Sequence, residues 1–283
     1  MINIREMERF AAQIRLETVK QIGTRGFGHI AGALSVTDAL AVLYGELLRH
    51  DPQNPNWRER DKLVMSKGHA GPALYATLAL RGFFPMDWLE TLNQNGTRLP
   101  SHCDAKLTPG IDMTTGSLGQ GASAAVGLAL AQKIDGLNSR TYLFVGDGEC
   151  NEGQVWEAVM FAAQHKLHNL TMFVDRNGKQ LDGKTEDILD LGDMRAKFKQ
   201  FGFHTQEIDG GEVSAIHAAC TAASIVTDKP SCIILNTIKG KGVKAVEETE
   251  ANHHMVVDGD LLEGAIKECQ ERLERLGGAK SWL

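Results

Sequence analysis

Residues 142–183 read YLFVGDGECNEGQVWEAVMFAAQHKLHNLTMFVDRNGKQLDG. The stretch opens on an apolar run, Tyr142 to Val145, short and rich enough in aromatic and branched side chains to be a buried strand. Gly146-Asp147-Gly148 stops it, and two glycines let the backbone turn sharply and approach a ligand closely. Asn151 or Glu152 then starts a helix through Gln164, with Val155, Val159 and Ala162 on one face. A second apolar run, Leu170 to Val174, ends at Asp175-Arg176-Asn177-Gly178. The pattern predicts a βαβ unit whose oxygen-bearing residues lie at the carboxyl ends of both strands, where open α/β sheets bind ligands.

Asp147 and Asn177 then share one rim of the sheet. A carboxylate, an amide oxygen and a nearby main-chain carbonyl are hard donors suited to Mg²⁺, which needs only one or two carboxylates when a phosphate supplies further oxygens. The helix after Gly148 favours the same anion at its positive end. A plainer reading is also open, in which Asp-Gly and Asn-Gly merely turn the chain after each strand. Residues 178–185 (GKQLDGKT) match a P-loop after a predicted strand, but the acidic continuation Glu186-Asp187 and the early Gly192 are poor material for the helix a P-loop needs. Gly26 to Ala31 (GFGHIA) fits a dinucleotide fingerprint, yet a helical segment, not a strand, precedes it.

GDG followed about 30 residues later by Asn resembles the thiamine-diphosphate motif, and NEG with VDRNGKQLDG resembles transketolases in particular. FGHIAGALSVTDALAVLY, LVMSKGHAGPALYATLA and PGIDMTTGSLGQG are similar to further transketolase blocks. The resemblance implies that Asp147, Asn177 and the carbonyl of Lys179 hold Mg²⁺. It implies that His69, Gly116, Ser117, Leu118, Gly148, Glu149, Asn177 and His253 contact thiamine diphosphate. His29, His102 and His253 fall where the family places imidazoles facing the sugar. Neutral imidazoles suit hydrogen bonding to hydroxyls and proton movement near neutral pH. Two departures stand out: residues 101–104 read SHCD where the family more often has GHPE, and His253-His254 follow Asn252 where the family has Trp-His-Gly, leaving either histidine eligible. Glu152 matches a family acid near the subunit interface, and it equally suits a helix N-terminus.

The resemblance covers only the first, diphosphate-binding third of such enzymes. It therefore implies the N-terminal subunit of a split transketolase, completed by a second chain with the pyrimidine-binding and C-terminal domains in an α2β2 assembly. The implied reaction moves a two-carbon ketol unit from a ketose, expected to be phosphorylated, to an aldose. The alternatives are a P-loop protein, a non-catalytic scaffold, and the subunit of a thiamine-dependent synthase or 2-oxo-acid dehydrogenase.

The rest of the chain agrees with one α/β domain over residues 1–283, a mostly parallel sheet with helices on both faces. Helices are expected from Asn3 to Gln21, from a capping-box-like Ser35 to Arg49, to Leu80 after SKGHAGP, to Gln132, from Glu212 to Val226 and from Asp258 to Leu276. Further strands are expected at Lys62–Met65, Phe203–Ile208 and Cys232–Asn236. The net charge of −6 over 283 residues gives no footprint for nucleic acid or an anionic membrane. Cys103, Cys150, Cys220, Cys232 and Cys269 form no CxxC pair, as expected of free thiols in a reducing cytoplasm. No leader and no apolar run of 18 residues is read, so no membrane insertion is expected.

Overall fold

The computed structural model describes residues 3–181 and 183–283. In chain order the strands are β1 (Phe27–Gly28), β2 (Lys62–Met65), β3 (Thr141–Gly146), β4 (Leu170–Arg176), β5 (Lys179–Gln180), β6 (Gly183–Lys184), β7 (His204–Asp209), β8 (Ser231–Asn236) and β9 (Met255–Val256). The order β2-β3-β4-β8-β7 makes one wholly parallel sheet. Two short antiparallel ribbons, β1–β9 and β5–β6, stand apart from it. The helices are α1 (Ile4–Arg25), α2 (Ile30–Leu34), α3 (Thr37–Val42), α4 (Gly71–Leu80), α5 (Gln120–Ile134), α6 (Gly153–Gln164), α7 (Thr185–Leu189), α8 (Met194–Gln200), α9 (Val213–Ser224), α10 (Lys244–Glu247) and α11 (Gly259–Arg275).

The strands are apolar on both faces because both faces are covered. Tyr142, Phe144, Phe173, Ile233 and Leu235 belong to a core shared with α1, α3, α4, α9 and α11. Their alternating neighbours Leu143, Val145, Met172, Val174, Cys232 and Ile234 belong to a second core with α5, α6 and α8. Successive side chains point to opposite faces, so each strand feeds both cores.

Two expectations need correction, and one alternative reading is set aside. The helical run after the first glycine-rich break begins at Ile30, not Ser35, and Ser35 and Asp38 form no capping box. Ser35 Oγ instead donates to Asp175, and Asp38 accepts from Arg15 Nη2 at 2.8 Å in a buried ion pair. The run Ile30–Leu47 is itself 18 residues long, with a mean hydropathy of 1.4 that would suit a membrane, contrary to the expectation that no such run exists. It is 83% buried inside this fold, so its apolarity is that of a core helix. Among the described residues of 178–185 there is no P-loop geometry: β5 and β6 pair as a ribbon, the α7 that follows is short, and Lys184 makes an exposed 3.6 Å ion pair with Glu186.

Candidate active site

Three strands deliver the polar residues to one rim. β2 ends at Met65 and leads into Ser66, Lys67, Gly68 and His69; β3 leads into Asp147 and Gly148; β4 carries Asp175 and leads to Asn177. The loop holding Gly116 lies directly on Gly68, where a Cβ would come within 2.8 Å of the Thr115 carbonyl carbon and 2.9 Å of Gly116 N. Only glycine permits that approach. Between these loops lies a cavity of about 320 Å³. His69, His102, Gly116, Leu118, Asp147, Gly148, Glu149, Asn177, Lys179 and His253 all line it. Ser117 is exposed beside Gly116 and Leu118. His29 stands behind the lining, its ring centroid 5.5 Å from His69, 5.3 Å from His102 and 5.1 Å from His253.

Asp147 is 3% exposed. Its carboxylate accepts from Gly148 N at 2.9 Å, from Gly178 N at 2.9 Å and from Thr185 Oγ1 at 3.2 Å. Burial, with the Asp175 carboxylate nearby, pushes it up to about 6 despite those donors. A buried carboxylate held so reluctantly in its charged form is stabilised by a cation. Asn177 lies two residues past Asp175 and presents an amide oxygen to the same region, so the donor set is hard and oxygen-based, which fits Mg²⁺ on a diphosphate. Among the described residues no group of His, Cys, Asp or Glu side chains has the density of a softer, protein-only metal centre.

Glu149 is placed differently from its neighbours. Its carboxylate accepts from Ser66 Oγ, from Gly119 N at 2.8 Å and from Gly146 N at 3.0 Å. It therefore ties the ends of β2 and β3 to the start of α5. Burial raises its pKa and these donors oppose the rise.

The imidazoles gather from four loops. Burial first, then the neighbouring His253, His254, His102 and Lys239, push His29 down to about 3. His69 lies well below the usual imidazole range through burial and the charge of Lys67, and burial lowers His102. The neutral forms present both a donor and an acceptor nitrogen at neutral pH. The two adjacent histidines have different positions. His253 lines the cavity with its ring 4.8 Å from His69, whereas exposed His254 packs on His29 at 4.7 Å and on Phe27 at 5.6 Å.

Four residues were not read as part of the site from the sequence. Lys67 and Lys239 line the cavity and are 1% and 3% exposed. Lys67 Nζ donates to Asp175 Oδ2, and Lys239 Nζ donates to Leu181 O at 2.5 Å. Asp175 and Ser35 lie behind them, joined by a 2.7 Å hydrogen bond. The only available signal was position: Lys67 sits inside the SKGHA block and Lys239 inside the Gly/Lys loop after β8.

Residues 6–274 match the family described as "Transketolase, thiamine diphosphate binding domain". The chain belongs to the transketolase family. It is 50% identical over 266 residues to the 6-deoxy-6-sulfo-D-fructose transketolase subunit SqwG of Clostridium sp. (strain MSTE9), covering 94% of this chain and 97% of that one. It is 40% identical to an apulose-4-phosphate transketolase subunit of Phocaeicola vulgatus, covering 88% of each. The solved transketolase of Leishmania mexicana superposes with a TM-score of 0.88 at 30% identity, covering 97% of this chain and 42% of that chain. The chain thus spans about two fifths of that solved transketolase and nearly the whole of the subunit-type relatives.

Proposed function

We propose that this chain is the diphosphate-binding subunit of a two-chain transketolase that moves a two-carbon ketol unit from a ketose to an aldose with thiamine diphosphate and Mg²⁺. The observation that carries the reading is the near-complete coverage of relatives named as subunits, with buried Asp147, half-buried Asn177 and a histidine cluster around one cavity. Bound thiamine diphosphate supplies a stabilised carbanion for carbon–carbon cleavage. The chain's own residues bind and orient. Asp147, Asn177 and the Lys179 carbonyl hold Mg²⁺. His69, Gly148, Gly116, Ser117 and Leu118 contact the cofactor, with Lys67 and Lys239 as counter-charges to its diphosphate. Glu149 joins through its backbone at the turn, because its carboxylate is already engaged by three donors.

His29 and His102, whose charged forms burial disfavours, and His253 beside them hydrogen-bond the sugar hydroxyls and move protons there. The relatives' substrates carry a sulfonate or phosphate, and the substrate here is read as a ketose with such an anionic end. The second chain would carry the pyrimidine-binding and C-terminal domains in an α2β2 assembly. Residues 1–283 would be a single domain, and the five free, buried cysteines support a cytoplasmic site.

A native mass spectrum of the protein purified gently from its own cells tests this. The expected mass is two copies of this chain plus two of a second, with thiamine diphosphate and Mg²⁺ retained. A lone chain carrying nucleotide, or a complex with no cofactor, would overturn the reading.

A further inference from the structure

Asp175 does not line the cavity, yet it holds two groups that do. It is fully buried, at 0% exposure, near the carboxyl end of β4. Its Oδ2 accepts from Ser35 Oγ at 2.7 Å, from Asn177 Nδ2 at 2.8 Å and from Lys67 Nζ. These donors come from separate places: the junction of α2 and α3, the loop after β4 and the loop after β2. One carboxylate oxygen thus ties three segments together.

The consequence for Asn177 is one of direction. The two ends of an amide have nearly the same shape, and a half-turn exchanges donor for acceptor. A carboxylate only accepts, so it selects the Nδ2 end. With Nδ2 on Asp175, Oδ1 must face the other way, where it accepts from Lys179 N at 3.1 Å. The same loop meets Asp147, whose Oδ2 accepts from Gly178 N at 2.9 Å. The Lys67 ammonium is fixed at the cavity wall by the same carboxylate oxygen.

We propose that Asp175 is a positioning residue for the metal and diphosphate: it sets the Asn177 amide with its oxygen toward the dication and pins Lys67 beside the anion. This inference rests on the reading of Asp147 and Asn177 as metal ligands. An asparagine at 175 has the same shape but can donate as well as accept. It would permit either orientation of Asn177 and leave Lys67 without its counter-charge.

The test uses the full chain in the assembly in which it is purified, saturated with thiamine diphosphate. Mn²⁺ is the probe, its free concentration followed by electron paramagnetic resonance. Asp175→Asn is expected to weaken Mn²⁺ binding by roughly 10- to 100-fold, the usual range for groups that orient a ligand. In an Asn177→Ala background the same change should weaken Mn²⁺ binding less than in the wild type, because the part that acts through that amide is already lost and only the part through Lys67 remains. Wild-type Mn²⁺ affinity in Asp175→Asn, or equal losses in both backgrounds, would overturn the positioning role. A wild-type protein that binds no Mn²⁺ would instead remove the metal-site reading, and this inference with it. Should Asp175→Asn not fold, Asn177→Asp decides. It adds a carboxylate but removes the donor that Asp175 requires, so weaker Mn²⁺ binding supports the proposal and tighter binding overturns it.

Discussion

At the cavity floor, Asp147 keeps its carboxylate against the N–H groups of Gly148 and Gly178 with 3% of its surface exposed. A dication would relieve the cost of that charge, so Asp147→Ala is expected to abolish metal-dependent thiamine diphosphate binding in the assembled protein. Calorimetric titration showing wild-type affinity in the variant would sink the assignment. His29 makes a second prediction through its pH dependence. Its ordinary pKa of 6.5 falls to about 3 in the fold, chiefly by burial and then by His253, His254, His102 and Lys239. Between those values the unfolded chain binds more protons than the folded one, so acid favours unfolding. The stabilisation is complete above pH 6.5 and is lost as pH falls toward about 3, with a slope of at most about 1.4 kcal/mol per pH unit, less for a partly solvated ring. Urea midpoints measured against pH should fall more steeply for the wild type than for His29→Asn. Parallel curves would show that His29 titrates normally.

Elements position these side chains, and they differ in how far sequence revealed them. The parallel strands were legible because a strand buried on both faces must be apolar throughout, as in Tyr142 to Val145 and Leu170 to Val174. The start of α2 was not. Ser35 has the chemistry of a helix cap, but its hydroxyl is engaged by Asp175, 140 residues away, and no local pattern carries that information. The β1–β9 ribbon was hidden for the same reason, since Phe27 pairs with Val256 over only two residues per strand. In the site, the spacing of GDG and the following Asn was a modest signal, and family resemblance gave those residues their expected role. The loop histidines looked individually solvated, and only family resemblance ranked them. The closeness of the Gly68 turn to the Thr115–Gly116 backbone yields an element-scale prediction. Gly68→Ala must push that loop outward, with an expected destabilisation of about 1–3 kcal/mol from overpacking. Weaker thiamine diphosphate binding should accompany it. A melting curve and a cofactor titration check both, and an unchanged pair would show that the loop yields freely. Asn252, 0% exposed, donates to Lys239 O at 3.2 Å and Val246 O at 2.9 Å. Asn252→Ala removes both of these buried hydrogen bonds, at about 1–3 kcal/mol. It should also loosen the segment that carries His253, read as faster amide exchange across residues 249–256.

The molecule as a whole ends its polar cavity in an apolar rim. Leu118 and Leu181 line the cavity while 37% and 64% exposed, and α7 displays Ile188 and Leu189 at 49% and 55%. Thr185, the first residue of α7, donates to Asp147, so this rim is mechanically joined to the candidate metal site. Clustered apolar exposure on a folded domain marks a surface that another protein covers. In the two-chain assembly proposed above, that partner is the second chain. Placing a charge on the rim separates folding from assembly. In Leu189→Asp the stability of the isolated chain should stay within about 0.5 kcal/mol of wild type, because the side chain contributes to neither core. Association with the second chain should weaken, since a carboxylate would have to be desolvated in the contact. Sedimentation of the two chains together measures this. Undiminished assembly would show that α7 lies outside the contact and that the apolar rim serves the cavity alone.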